Sequence, residues 1–174
     1  IFGKKVERIS FDDTSIAPSI FSLISKKKLS LGIIGSAEVT IEAAKEIISS
    51  KYSIEDIIYQ SGYFSNIEKN EILQKFLACD IVISAMGTPR QEQILMDLKA
   101  IGWKGTGFTC GGYFDQLASA GGGMYYPKII DTLNLRWAYR IFKEPKRLWR
   151  RYLIDYPIGI RFFIKNMQHI KINT

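Results

Sequence analysis

Four short strand-like runs, each with a glycine shortly beyond its end, most constrain the fold of this chain. They span residues 29–34, 54–59, 80–85 and 105–110. The third, Asp80–Ala85 (DIVISA), has a continuous β-branched character, which is typical of a strand covered on both faces. Segments with apolar residues at helical spacing lie between these runs. The sequence therefore predicts an α/β fold with a Rossmann-like, mostly parallel sheet and helices on both faces.

Helix-start patterns refine this prediction. Glu42–Ser50 carries apolar residues at helical spacing after the first run. Ser65 and Glu68 have the spacing of a capping box, which predicts a helix through about Leu77. After the third run, Thr88-Pro89-Arg90-Gln91 offers a capping threonine, a proline suited to the first helical position and a glutamine that completes a second capping box. That pattern predicts a helix to about Ala100.

The loops after the four strands are expected to meet at one edge of the sheet, because right-handed crossovers bring all carboxyl ends of parallel strands together. Ligands of open α/β sheets bind at that edge. Ordinary strand-to-helix turns are the alternative interpretation of these glycines. The converging segments are Gly35-Ser36, Gly62-Tyr63-Phe64, Gly87-Thr88-Pro89-Arg90-Gln91-Glu92 and Gly111-Gly112-Tyr113-Phe114-Asp115.

Two of these loops carry groups suited to binding an anion or hydroxyl groups. The helix that starts near Thr88 offers free N–H groups to an anion, and Arg90 adds positive charge. Asp115 can accept hydrogen bonds from ribose or sugar hydroxyls, or it can simply favour a helix N-terminus.

Charge divides the chain into two parts. Residues 1–133 contain 14 basic and 15 acidic residues, whereas residues 134–174 contain 10 basic and two acidic ones. We therefore predict an α/β core over 1–133 and a basic helical appendage over 134–174. Arginines beside aromatic residues such as Trp149 predict an interfacial helix on anionic lipid. A solvated basic face and a nucleic-acid-binding module are the alternatives.

Several classes of protein are disfavoured. No run approaches 18 apolar residues, so neither a membrane span nor a secretory leader is expected. His169 is the only histidine, and no Asp-x-Asp triplet is present, so we predict neither a metal site nor a cofactor. The two cysteines, Cys79 and Cys110, are expected to be buried free thiols.

Three sequence blocks resemble the signature of the WecG/TagA/CpsF family, glycosyltransferase family 26. They are Ala85–Glu92 (AMGTPRQE), Cys110–Asp115 (CGGYFD) and Leu135–Tyr152, which contains Arg140, Glu144, Arg147 and Arg150. Glu7-Arg8-Ile9 and Gly62-Tyr63-Phe64 are two weaker matches that precede them.

The resemblance implies an inverting transfer of a hexose or N-acetylhexosamine. The donor would be a UDP-sugar and the acceptor a polyprenyl-diphosphate-linked saccharide, in bacterial capsule, exopolysaccharide or cell-wall glycopolymer synthesis. It further implies a peripheral enzyme at the cytoplasmic face of the plasma membrane, with an appendage that docks on anionic lipid and closes arginines over the active site. No nucleic acid is expected as a partner, and a homo-oligomer is compatible with the pattern.

Residue roles follow from the same resemblance. Arg8, Gln91 and Arg140 are expected in catalysis, and Arg147, Arg150 and Arg151 at phosphate or membrane. The expected donor-binding residues are Gly35, Ser36, Gly62, Tyr63, Phe64, Gly87, Thr88, Pro89, Arg90, Glu92, Gly111, Gly112, Phe114 and Asp115.

Three departures from the family pattern bear on these roles. The family's aspartate base is expected upstream of Ile1, and Asp115 or Glu92 would stand in for it if the gene encodes none. An inactive nucleotide-sugar-binding protein is then a further alternative. The usual Arg-Ala-Pro is Tyr125-Tyr126-Pro127 here, and the usual Gly-Leu-Glu-Trp is 134–137 (NLRW), which affects the choice of sugar and acceptor.

Overall fold

The computed structural model describes residues 9–133, 135–143 and 145–166, without the side chains at positions 128, 131, 147 and 151. The chain divides into two compact units after Tyr125. The boundary predicted at residue 133 lies inside the second unit, and the prediction of a separate appendage from 134 onward stays a prediction. No helix of the described ranges is both long and apolar enough to cross a membrane.

The first unit alternates helices and strands. Its elements are α1 (Ala17–Lys27), β1 (Leu31–Gly35), α2 (Glu38–Tyr52), β2 (Ile57–Gln60), α3 (Lys69–Phe76), β3 (Ile81–Ala85), α4 (Arg90–Ala100), β4 (Thr106–Thr109) and α5 (Tyr113–Ser119).

The four strands form one parallel sheet in the order β2-β1-β3-β4. In the centre Ile33 is paired with Ile83, and Ile83 in turn with Phe108. One face packs Ile33 and Ile83 against α1, α2 and α5, and the other packs Val82 against α3 and α4. The predicted α/β class, with helices on both faces of a parallel sheet, is confirmed.

Both hydrogen bonds of the capping box predicted at Ser65 and Glu68 are present, but they lie just before α3 and do not cap its first residue. The Ser65 backbone N–H donates to Glu68 Oε2 at 2.8 Å, and the Glu68 N–H donates to Ser65 Oγ at 3.4 Å. α3 begins at Lys69, the next residue. These reciprocal bonds satisfy backbone donors that the helix itself cannot use.

The capping box predicted at Thr88 and Gln91 is wrong. Pro89 takes the position before α4, the helix begins at Arg90, and no side-chain hydrogen bond caps it. The reason is a competing partner, because Gln91 Oε1 accepts the backbone N–H of Gly111 at 3.1 Å and not that of Thr88, and only Nε2 contacts the Thr88 side chain, at 3.3 Å. The Thr88–Pro89 peptide bond is cis.

α1 is a helix for which the sequence analysis made no prediction. Pro18 lies in its first turn, where a missing N–H costs nothing, and Ala17, Phe21 and Ile24 are buried. This spacing of four and three residues is the signal of one apolar helix face. The helix ends where Lys28 adopts a left-handed conformation.

The secondary structure described in the second unit consists of helices joined by short turns. Tyr126 packs edge to face against Tyr139, and Tyr152 packs against Tyr156. Leu148 is buried, whereas most large apolar side chains of this unit are exposed. Its elements are α6 (Lys128–Thr132), α7 (Arg136–Lys143), α8 (Pro145–Arg150), a π-helical turn (Arg151–Asp155) and α9 (Tyr156–Asn166).

Candidate active site

The loops after β1, β2 and β3 are in direct contact at the carboxyl edge of the sheet. The Gly62 backbone N–H donates to the Ser36 carbonyl at 3.0 Å. Gly35 has a φ of +139°, and a Cβ there would lie 2.5 Å from the Ala85 carbonyl. Glycine is therefore required at this position, because any side chain would push β1 and β3 apart.

The strand order places a topological switch point between β1 and β3. From β1 the chain continues through α2 to β2 on one side, and from β3 through α4 to β4 on the other. A crevice between the two sets of loops is where ligands of such sheets bind. Ser36, with a φ of +55°, lies at this point.

Two buried hydroxyl groups near the switch point lack a partner among the described residues. They are the Oγ atoms of Ser36, just past β1, and of Ser84, in β3. Ser84 is fully buried. A buried hydroxyl without a partner is rare, because its desolvation is not offset by a hydrogen bond.

The β3–α4 loop is built around three hydrogen-bonded side chains. Gly87 has a φ of +74°. Thr88 Oγ1 donates to Glu92 Oε1 at 3.2 Å, and Gln91 Nε2 donates to the same oxygen at 2.8 Å. The hydrogen bond from Gln91, with a smaller contribution from Thr88, lowers the pKa of the Glu92 carboxyl. Glu92 is therefore ionised at neutral pH, and Arg90 is exposed beside it.

The β4–α5 loop brings Asp115 to the same edge but not Phe114. Gly111 has a φ of +56°, Gly112 immediately precedes α5, and Asp115 lies in the first turn of that helix. Phe114 is 0% exposed and packs in the core between the sheet and α5. The structure thus does not present Phe114 to a ligand, and its predicted donor-binding role stays untested.

The β2–α3 loop presents one of its two aromatic residues. Tyr63 is 79% exposed, and its backbone N–H donates to Ser61 Oγ at 3.2 Å. Phe64 packs partly against the core on the α3 and α4 face. Of the two, Tyr63 is the ring that a ligand at this edge can reach.

The chain is similar to known proteins over nearly its whole length. Residues 1–171 match the model of the "Glycosyl transferase WecG/TagA/CpsF family". The chain belongs to the WecG/TagA/CpsF family. It is 40% identical over 172 residues to the UDP-Gal:alpha-D-GlcNAc-diphosphoundecaprenol beta-1,4-galactosyltransferase of Shigella boydii, and the match covers 97% of this chain and 71% of that protein. The predicted family and the predicted glycosyltransferase class are confirmed.

The second unit of this WecG/TagA/CpsF protein holds the remaining predicted cations that can be located. Arg140 lies on α7, is half-buried, and its Nε atom has no partner among the described residues. Arg150 ends α8 and is exposed. Arg8 and the side chains of Arg147 and Arg151 lie outside the described residues.

Arg140 belongs to a row of cations on α7 that sequence reasoning did not single out. Arg136, Arg140 and Lys143 recur four and three residues apart, which places them on one helix face. The Arg136 guanidinium lies 5.2 Å from the ring centre of Tyr126, and Lys143 Nζ lies 5.7 Å from that of Tyr139. The helical spacing of these cations was the available signal.

A second group that the sequence analysis missed ties the N-terminal segment to α5. The hydroxyl of buried Tyr113 donates to Asp13 Oδ1 at 2.9 Å, and Lys51 Nζ lies 3.7 Å from the same oxygen. Burial, together with the Asp13 carboxylate, raises the pKa of the Tyr113 hydroxyl. Asp13 and Tyr113 are 100 residues apart in the chain, so no local sequence pattern predicts their hydrogen bond.

The cysteines of the family member fit their predicted structural role. Both are free thiols, with Cys79 buried and Cys110 half-buried. Burial raises the pKa of the Cys79 thiol to about 11, and burial likewise raises that of Cys110. Neither thiol is activated as a nucleophile, because the thiolate is disfavoured at both positions.

Proposed function

We propose that the protein transfers a hexose with inversion from a UDP-sugar to a polyprenyl-diphosphate-linked saccharide in bacterial surface-polysaccharide synthesis. The relative from Shigella boydii favours galactose as the sugar and a diphosphate-linked N-acetylglucosamine as the acceptor. Identity of 40% over nearly the whole chain supports carrying over the donor and acceptor classes.

The arrangement of the switch point carries this proposal. A ligand can come close to the backbone at Gly87 and Gly111, because neither residue has a side chain and the space where a Cβ would be is open. The Ser36 hydroxyl, just past the end of β1, is buried and has no partner among the described residues. Such a crevice suits a nucleotide, whose flat base and polar ribose need close backbone contacts and a few hydrogen-bonding groups.

In this proposal, charged groups at the edge of the sheet bind different parts of the donor. The positive end of α4 and Arg90 favour the diphosphate. The carboxylates of Glu92 and Asp115 can only accept hydrogen bonds, and the hydroxyl groups of a ribose or a sugar are suitable donors to them. Asp115 in the first turn of α5 is held by a helix rather than by a mobile loop.

Arginines of the second unit stabilise the departing UDP in this proposal. Negative charge develops on the diphosphate as the glycosidic bond breaks, and guanidinium groups bind such oxygens bidentately. Arg140 is the strongest candidate, because its Nε atom is buried and lacks a partner among the described residues. Its neighbours in the α7 row, Arg136 and Lys143, add to the positive potential.

The second unit also docks on the cytoplasmic face of the membrane in this proposal, where a lipid-linked acceptor is found. α9 carries Arg161 and Lys165 among large apolar side chains that face solvent. A short helix of this kind lies in the headgroup region with its apolar residues buried. The exposed apolar residues of α9 are Ile158, Ile160, Phe162, Phe163 and Ile164.

A transfer assay tests the reaction. The purified protein is given UDP-galactose, UDP-glucose or a UDP-N-acetylhexosamine with a synthetic N-acetylglucosaminyl diphosphopolyprenol, and the product linkage is read by NMR. We expect a β-linked hexose, and at least tenfold weaker UDP binding in Asp115→Ala. Glu71→Ala is the matched control, because Glu71 is an exposed carboxylate on α3. Absence of both transfer and UDP binding, with salt-dependent DNA binding instead, would favour the nucleic-acid module.

Vesicle binding tests the docking. We expect the protein to sediment with phosphatidylglycerol vesicles and much less with phosphatidylcholine vesicles. Phe162→Ser with Phe163→Ser should lower the bound fraction several-fold. Met96→Ser is the control, because Met96 is an equally exposed apolar residue of the α/β unit. Equal binding of the double variant and the control would refute docking through α9.

A further inference from the structure

Gln91 is one of the few buried polar residues of the described chain, with 7% of its surface exposed. Burying a carboxamide is unfavourable unless each end is hydrogen-bonded. The partners here are a backbone N–H, which can only donate, and a carboxylate, which accepts, so they define which end is oxygen and which is nitrogen. Gln91 Oε1 faces the Gly111 N–H at 3.1 Å, and Nε2 faces Glu92 Oε1 at 2.8 Å and Thr88 Oγ1 at 3.3 Å.

Both N–H donors of the carboxamide are therefore in use within the protein. A glutamine that contacts a substrate needs a free donor or acceptor aimed at the ligand. Here Nε2 has two acceptors already, and Oε1 faces the β4–α5 loop. This geometry suits a group that holds other groups in place.

The Gly111 N–H lies just beyond the last hydrogen bond between β3 and β4. The preceding N–H, that of Cys110, still donates to the Ser84 carbonyl at 2.9 Å, as a continuation of the ladder between β3 and β4. Gly111 then turns into the left-handed region and leaves the sheet. Gln91 supplies the acceptor that the ladder no longer provides, and it thereby fixes the entry into α5.

We propose that Gln91 is a positioning residue which joins the β3–α4 loop to the β4–α5 loop and sets the backbone that receives the donor nucleotide. We refer to its three hydrogen bonds as the Gln91 bridge. The inference rests on the proposed function for its kinetic consequence only. Through Gly111 and Gly112 the bridge sets the position of Asp115, and through Nε2 it holds the Glu92 carboxylate toward Thr88.

The kinetic consequence is a loss of donor affinity with little loss of turnover. Gln91→Met keeps the length of the side chain but removes all three hydrogen bonds. We expect the KM for the UDP-sugar and the Kd for UDP to rise about tenfold, since each lost bond contributes modestly. The turnover number at saturating donor should fall less than about threefold. A turnover loss of about a hundredfold at unchanged KM would show that Gln91 acts on the reacting atoms and overturn the inference.

Hydrogen exchange tests the bridge without any assay of activity. Amides of residues 110–113 should exchange faster in Gln91→Met than in the wild type, while those of β1 stay protected and report an intact fold. Gln93→Met is the matched control, because Gln93 lies on the same helix and makes one exposed hydrogen bond, to Asp97. Unchanged exchange at 110–113 in Gln91→Met would overturn the inference even if the protein proved to have another substrate.

An exchange of the two side chains provides the rescue. Gln91→Glu alone sets two carboxylates side by side and should open the loop. Combined with Glu92→Gln, it restores a donor opposite an acceptor, while the new carboxylate can still accept the Gly111 N–H. We expect protection at 110–113 to return in the double variant relative to Gln91→Glu. A double variant as exchange-labile as Gln91→Glu would contradict the bridge.

Discussion

The two units of this protein handle apolar side chains in opposite ways. In the α/β unit many of the large ones are enclosed, and Phe21, Phe76 and Phe114 are fully buried. In the helical unit Leu148 is buried, but Phe142 is 84% exposed and Phe162 is 69% exposed. The first unit is stabilised by its own packing. The second presents apolar surface of the kind that soluble domains seldom leave in water.

The charges sharpen the contrast. The strand-end loops of the α/β unit combine glycines with the carboxylates Glu92 and Asp115, whereas α7 lines up Arg136, Arg140 and Lys143 on one face. The strand-end loops thus offer acceptors for hydroxyl groups beside the cation Arg90, whereas the cations of α7 suit phosphate. A nucleoside diphosphate sugar and a lipid-linked diphosphate contain both hydroxyl and phosphate groups, so both sets of side chains fit the proposed reaction.

The largest expected effect compares two phenylalanines. Phe114→Ala should destabilise the protein by about 3–5 kcal/mol, because it leaves a cavity in the core of the α/β unit. Phe162→Ala should change the free energy of unfolding by less than about 0.5 kcal/mol, because the ring is already exposed. Urea unfolding measures both. Similar losses would show that the helical unit has a core of its own and would break the comparison.

A pair of glycines at the donor edge gives the next effect. Gly35→Ala should cost about 2–3 kcal/mol, because its Cβ would meet the Ala85 backbone. Gly87→Ala should cost about 1 kcal/mol, since it has open space and only the positive φ opposes it. Thermal unfolding with and without UDP measures the two. If Gly35→Ala retained full UDP stabilisation, the close approach of β1 and β3 would not matter for the donor site.

Arg140 tests whether the helical unit takes part in chemistry. Arg140→Ala should lower turnover about 10- to 100-fold in detergent, where membrane docking plays no role, because the leaving diphosphate loses a charged donor. Lys104→Ala, which removes an exposed cation before β4, should leave turnover unchanged. Equal turnover of the two variants would restrict the helical unit to docking.

The smallest expected effect is electrostatic. The Ser30 backbone N–H and hydroxyl both donate to Asp80 Oδ2 at 2.9 Å, and they lower the pKa of the Asp80 carboxyl. A carboxyl with a lowered folded-state pKa stabilises the fold above its unfolded-state pKa of about 3.9, and this contribution is lost as pH falls through the folded-state value. Asp80→Asn should therefore melt slightly lower than wild type at pH 7 and equally at pH 2. A constant difference across pH would exclude this cause.

Much of the first unit was predictable because its signals are local. The β-branched run at 80–85, the glycine after each strand and the Ser65–Glu68 capping box each specify structure within a few residues. The same logic failed at Thr88–Gln91. A local capping pattern lost there to a backbone donor 20 residues away, at Gly111. A pattern of neighbouring residues does not indicate a hydrogen-bond partner that comes close only when the chain folds.

By itself the sequence determined the α/β class, the edge at which the strand-end loops meet and the family, since periodicity and ordered motifs are written along the chain. Only the tertiary structure decided that Phe114 faces the core, that Gln91 is enclosed and that Tyr113 meets Asp13. The physical reason is that adjacent residues of one motif point in different directions once a helix begins. Burial and hydrogen-bond partners are properties of the packed chain, and no motif contains them.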